Sequence, residues 1–184
     1  MKYLIAAYPA SEPVTLADAK MHLRAIAGDT TEDAAIIAPL ITAAREYCEN
    51  ITGMALGKQT IEAYPEAFSA VMPLPKGPVI SVTKIEYAGK DENPVIMPAS
   101  DYSADAIRDR VLIKSIPAVA ATVNPIKITY TAGGSVPMLL RQAMLLLIGH
   151  WYTNREAVAV GAIATVEIKM AVDTMLNQYK RWWY

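Results

Sequence analysis

Between Pro137 and Glu156 the chain reads PMLLRQAMLLLIGHWYTNRE, apolar around almost the whole circumference of a helix. A helix without a polar face cannot stand in water and has to be buried against other elements. Its longest uncharged apolar stretch, Gln142 to Asn154, is well short of the ~20 residues that cross a bilayer, so the expected burial is in a protein core. At the other end of the chain, the apolar run from Tyr3 to Tyr8 is too brief for a signal sequence and reads as an edge strand. The protein is therefore expected to be soluble and unexported, organised around one buried helix.

Two further helices precede it. The first spans about Leu16 to Ala27: Thr15 is a suitable N-cap with Asp18 three residues on, and Leu16, Ala19, Leu23 and Ile26 form an apolar stripe before Gly28. The second is expected to begin at Thr31, with Glu32 and Asp33 favourable at its N-terminus. It carries Ile36, Ile37, Leu40, Ala44, Tyr47, Cys48 and Ile51 at helical spacing and stops at Gly53. Of the twelve prolines only Pro39 falls inside a predicted helix, where it should kink the helix or delay its start. The central helix has Ser135 as its expected cap and Pro137 in its first turn. A last helix runs from about Val166 to Trp182, with Ile168, Val172, Met175, Tyr179 and Trp182 on one stripe.

Between residues 58 and 132 the texture changes to short β-forming runs separated by Pro, Gly and Asp. Candidate strands are Gln59–Ala63, Val79–Tyr87, Pro94–Met97, Val111–Lys114 and Ile126–Tyr130, the last alternating cleanly with one buried face. AGKDENP (Ala88–Pro94) reads as a turn, LPKGPV (Leu74–Val79) as a connector, and DYSADAIRDR (Asp101–Arg110) as a solvated loop. The expected fold class is α+β: a mainly helical single domain over 1–184, with two N-terminal helices (1–57), a small, mostly antiparallel sheet (58–132) and two C-terminal helices (133–184).

Residue chemistry argues against catalysis. His22 and His150 are the only histidines; His22 reads as a solvated or interfacial helix residue, and His150, beside Trp151, as a hydrogen-bonded core residue. Cys48 lies on the apolar stripe and reads as a small core residue. No GxSxG, HExxH, CxxC or P-loop pattern occurs. The glycines of TAGGS (Thr131–Ser135) are explained by a strand-to-helix turn, without the Lys-Ser/Thr ending that would hold phosphate. Two histidines and one cysteine in separate elements have no metal-ligand spacing, and Asp101, Asp105 and Asp109 make no calcium loop. No catalytic, cofactor-binding or metal site is expected. A net charge of −1 also disfavours non-specific nucleic-acid binding as the main task. Among the other charges, Arg45 and Glu49 are expected to form a modest exposed i,i+4 pair, and Arg141 and Arg155 to pair with Glu46, Glu49 or Glu156.

In order along the chain, PVTLADAKMHLR, EDAAIIAPLITAAREYCENITGMAL, LPKGPVISVTKIEYAG, ITYTAGGSVPMLLRQAMLLLIGHWYTNRE and a terminal helix with an aromatic, basic end resemble the small head–tail connector (adaptor) proteins of tailed bacteriophages and prophages. Pro39 and the proline-free stretch Ala159–Lys169 depart from that pattern. The resemblance implies a structural virion protein at the head–tail junction, without a cofactor, assembled in the bacterial host cytoplasm. Roughly a dozen copies would form a ring through a heterologous interface. The implied partners are the portal and the next tail-side connector or terminator, with genomic DNA passing through the lumen unbound. LPKGPV and the Asp101–Arg110 loop are candidates to line that channel. The alternatives are another virion morphogenesis protein (a stopper, tail terminator or head-completion factor) or a small ligand-binding domain.

The end of the chain, KRWWY, supplies the candidate partner interface. Tyr179, Arg181, Trp182, Trp183 and Tyr184 are of the residue types that dominate binding hot spots, the other reading being that Trp182 closes the core while Trp183 and Tyr184 fray. Three consecutive aromatics left in water form the kind of apolar patch that proteins cover.

Overall fold

The computed structural model describes residues 1–27, 33–154 and 162–181. It contains two compact units. One is a β unit, Met1–Ala10 with Gly57–Gly134, and the other a helical unit, Ser11–Leu56 with the described residues from Ser135 onward.

In the helical unit, α1 spans Leu16–Ala27, α2 Ala34–Thr52, α3 Met138–Thr153 and α4 Ala162–Asn177. The capping box of α1 forms as expected: Asp18 N–H donates to Thr15 Oγ1, and Thr15 N–H returns to the Asp18 carboxylate, both at 3.1 Å. Those bonds from Thr15, with Arg141 adding to them, hold the Asp18 carboxyl below its usual range. Helix α2 has Asp33 as its N-cap rather than the expected Thr31, which lies outside the described residues. Pro39 sits within continuous helix, and Gly53 closes α2 in the left-handed conformation, its N–H on the carbonyl of Glu49.

Helix α3 departs from expectation at its start and in its burial. Ser135 is exposed and caps nothing; Pro137 occupies the N-cap, and its carbonyl accepts from Leu140 and Arg141. A residue preceding proline is driven to extended backbone, so Val136 blocks an earlier start. Nor is α3 buried all round. Leu140, Met144, Leu147 and Ile148 point into the core with Leu23, Ile37, Ile41, Cys48, Val172 and Leu176, whereas Met138 is 73% exposed and Leu145, Leu146 and Trp151 are half-buried. Helix α4 ends at Asn177, five residues before the expected Trp182.

Arg45 corrects another expectation. It is not an exposed partner of Glu49; it is the largest fully buried side chain among the described residues, 2% exposed. Its Nε lies 2.8 Å from Glu12 and its guanidinium 3.2 Å from Glu49, itself buried. Glu12 also accepts from Thr42 and Glu49 from the N–H of Leu56, so the half-buried Glu12 and the buried Glu49 are each hydrogen-bonded on both oxygens.

The β unit contains two antiparallel sheets where one was expected. Its strands are β1 Lys2–Ala7, β2 Gln59–Tyr64, β3 Val71–Pro73, β4 Val79–Ala88, β5 Pro94–Ile96, β6 Tyr102–Asp105, β7 Arg110–Ile113 and β8 Ile126–Ala132. The larger sheet has the order β1-β2-β8-β4-β5, the smaller β3-β7-β6. The N-terminal run is an edge strand, as its sequence indicated. Alternation in β8 holds: Ile126, Ile128, Tyr130 and Ala132 are fully buried.

The Asp101–Arg110 stretch is not a solvated loop but the β6–β7 hairpin. Its tip is open, with Ile107 94% exposed, and so are Ser103 and Ala104 on β6, while Val111 and Ile113 on β7 are buried. Asp109 turns inward and its carboxylate accepts from the N–H of Val79, while its carbonyl accepts from Leu74. The LPKGPV connector is likewise interior: Leu74 and Lys76 are buried, and the carbonyl of Pro75 accepts from the Tyr130 hydroxyl. A buried backbone segment needs such partners, which is why these two stretches are folded in rather than presented outward.

Gly133 has φ +97°, and a Cβ there would lie 2.0 Å from the carbonyl oxygen of Gly57. Gly133→Ala should therefore destabilise the protein by about 3 kcal/mol, from strain plus a backbone clash that no rotamer relieves, read as a lower urea midpoint. Arg45→Ala should cost about 3–5 kcal/mol, because it strands the buried Glu49 carboxylate and the half-buried Glu12, whereas Glu46→Gln, at the exposed carboxylate 3.6 Å from the guanidinium, should cost under about 0.5 kcal/mol. Equal midpoints for the two variants would overturn this account of the cluster.

Candidate interaction surfaces

The residues that follow α4 are fastened to the end of α2. Thr52 is the hinge of this contact: its hydroxyl donates to the carbonyl of Cys48 at 2.7 Å and accepts from Met54 N–H, and its own carbonyl accepts from Arg181 N–H at 2.8 Å. Tyr179 N–H reaches back to Leu176, and the Tyr179 ring packs against the helical core, half-buried. Of the five expected interface residues, Tyr179 thus packs on the helical core and Arg181 is held at the C-terminal end of α2. Trp182, Trp183 and Tyr184 lie outside the described residues. The chain is directed by backbone hydrogen bonds up to the residue before the aromatic run.

Residues considered for chemistry are placed elsewhere. Cys48 is fully buried, its thiol pushed up to about 12 by burial first and the charge of Glu49 second. His150 is half-buried at the end of α3 rather than in the core, with Nδ1 3.1 Å from the Asn154 amide. No cluster of three or more His, Cys, Asp or Glu side chains fit to hold a metal occurs among the described residues. Arg141 pairs with Asp18 on α1, not with Glu46 or Glu49; Arg155 lies outside the described residues.

That Arg141–Asp18 pair floors a groove the sequence did not reveal. A cavity of about 280 Å³ between α1 and α3 is lined by Asp18, Met21, His22, Met138, Arg141, Gln142 and Leu145. Met21 and Met138 stand exposed on its rim, and the inward Nε2 of His22 has no hydrogen-bond partner. Flexible methionine side chains around a small polar floor suit a protein surface better than a catalytic centre. His22 is interfacial in character, half-buried rather than solvated. The one sequence signal for the groove was the Met21-His22 pair on a helix whose stripe lay elsewhere.

In the β unit, one face of the larger sheet is charged. Lys127 lies 2.8 Å from Glu86 and 3.9 Å from Glu62, and Lys84 3.0 Å from Glu86. The hydrogen bond from Lys127 holds the Glu86 carboxyl down, and the same bond raises Lys127. Opposite charges interleaved in this way leave no cationic surface to grip phosphates. None of the described helices is long and apolar enough to cross a membrane.

Comparison with known proteins gives a family and a fold. The family model for head completion proteins matches residues 15–182. Three similar solved chains come from the neck of an empty gene transfer agent (GTA) particle computed with C6 symmetry, from the virion of the native GTA particle, and from the neck of the native GTA particle computed with C12 symmetry. Their TM-scores are 0.78, 0.75 and 0.73; each is 20% identical and covers 100% of this chain and 97% of its own. At that identity the likeness establishes a shared fold. No curated protein matches the sequence.

Folded protein at pH 8 should leave Cys48 unmodified by a thiol reagent, with one equivalent reacting on denaturation. A native reaction as fast as that of a free thiol would overturn its placement. Above the ordinary value of 9.0 the unfolded thiol loses its proton while the folded one keeps it, so this group should leave stability level below pH 9 and lower it as pH rises further.

Proposed function

This chain belongs to the head completion protein family, and from that premise we propose that it is a structural protein of the virion neck, assembling as a homo-oligomeric ring that joins the portal to the tail and continues the DNA channel. The observation that carries the reading is the family match over residues 15–182, on a fold shared along its full length with proteins of a particle neck. Neck structures computed with C6 and C12 symmetry are cyclic assemblies, and that likeness supports the reading of a ring for this chain. Each ring subunit presents two different patches, one to each neighbour. The absence of a catalytic constellation among the described residues and the nearly balanced net charge fit a subunit that works by contact and lets DNA pass.

In this reading residues 1–184 act as one connector subunit. The portal and a tail-side connector or terminator bind opposite sides of the ring. The aromatic end, Trp182–Tyr184, docks on a partner ring, with Tyr179 and Arg181 holding the segment that delivers it. Backbone hydrogen bonds at Thr52 and Leu176 anchor that segment up to Arg181.

Light scattering over a range of concentrations, alone and with portal added, should give a large closed oligomer in at least one condition. A monomer that ignores portal would overturn the reading. Removal of Trp182–Tyr184, after the anchored Arg181, should leave the far-UV spectrum and melting temperature unchanged and weaken portal binding at least about tenfold. Loss of folding instead would assign those residues to the core.

A further inference from the structure

Strand β1, sequence KYLIAA, is apolar on both faces, the pattern of a strand covered on both sides, yet five of its six residues are exposed. Leu4 is 62% exposed at this edge, and at the opposite edge of the same sheet Ile96 on β5 is 63% exposed. Among the described residues no strand pairs with the outer edge of either. An uncovered, apolar edge strand is a template for pairing, and only Lys2 on β1 blunts it.

The two edges match each other in detail. They are linked by antiparallel pairings of β1 with β2, β2 with β8, β8 with β4 and β4 with β5, so β1 and β5 run in the same direction. Leu4 pairs with Glu62 and Ile96 with Glu86, and both carboxylates reach Lys127, which puts Leu4 and Ile96 on one face. Tyr3, paired with Ala63, and Val95, paired with Tyr87, lie on the other.

Sheet alternation decides which peptide groups are free. Met97 N–H donates to Ile85 and Gly89 N–H to Asn93, so Val95 between them turns its peptide groups toward β4 and Ile96 turns its own outward. On the other side of β4, Ala88 donates to Pro125. Carrying the alternation across β8 and β2 leaves Tyr3 and Ile5 with outward groups on β1.

We infer that the β1 edge of one copy of this chain pairs, in parallel, with the β5 edge of the next, Lys2, Tyr3 and Leu4 lying beside Pro94, Val95 and Ile96. In this register Ile96 N–H donates to Tyr3 of the second copy, whose Ile5 and Tyr3 N–H groups donate to the carbonyls of Ile96 and Pro94. Leu4 and Ile96 cover each other on the charged face, Tyr3 and Val95 on the opposite one. Lys2 comes beside the exposed turn holding Asp91 and Glu92 just before β5. The bulge between Ile5 and Ala7 lies beyond the paired residues. The occupant is a second copy because the two edges differ. Pairing β1 with β5 is heterologous and repeats around a ring, whereas β1 with β1 closes a dimer. This inference rests on the ring reading above and assigns that ring a subunit contact.

The test is disulfide capture with Leu4→Cys and Ile96→Cys, both exposed sites, against the buried Cys48. The double variant, oxidised and run without reductant, should give a ladder of multiples up to the ring, and each single variant should stay monomeric on the gel. Leu4→Lys or Ile96→Lys should raise the concentration for half-assembly at least roughly tenfold while leaving melting unchanged. A dimer from Leu4→Cys alone, or a ring of full mass without a ladder, overturns the strand pairing and leaves the ring reading standing. A chain that stays monomeric with portal and gives no ladder overturns both.

Discussion

A guanidinium taken out of water organises the helical unit. Arg45 is buried on α2, and an unpaired charge there would be prohibitively unfavourable. Glu12, ahead of α1, and Glu49, one turn along α2, neutralise it, and each carboxylate finds a second donor in Thr42 or Leu56. The segment entering α1 and the segment leaving α2 are thereby fixed to one side chain. Once α2 is set, its C-terminal end offers the Thr52 carbonyl to Arg181. The position from which the aromatic terminus departs is thus tied, through α2, to the same buried charge.

The β unit depends on a different device: inward-turned backbone. Its LPKGPV connector and Asp109 are satisfied by Tyr130, Val79 and Leu74, and this allows a small three-stranded sheet to accompany the larger one. With those polar groups consumed inside, what remains outward is a charged but internally balanced face and two apolar edges. A face of that kind offers phosphates little to grip, and open apolar edges are available for pairing.

For a head completion protein, the division of labour is economical. A helical unit with a packed core anchors the chain at Arg181, and a β unit presents two unlike edges. Two unlike surfaces are the minimum for the cyclic assembly proposed above.

Much of this was legible in the residues. Periodicity located all four helices, Gly53 and the Thr15–Asp18 box marked real ends, and alternation in β8 identified a buried face. The ordered run of motifs pointed to a phage neck protein. What failed did so for one physical reason: local spacing does not report which neighbours arrive from far along the chain. Arg45 and Glu49 at i,i+4 look like a surface pair until Glu12 and Leu56 close over them. Asp101–Arg110 looks like a solvated loop until Asp109 meets Val79, and Ser135 looks like a cap until Pro137 holds Val136 extended. The sequence by itself therefore determined the helices, the longer strands and the family, because these depend on periodicity and motif order within short windows. Only the tertiary structure decided which charges are buried and which strand edges stay open, because burial and pairing are set by contacts between residues distant in the chain.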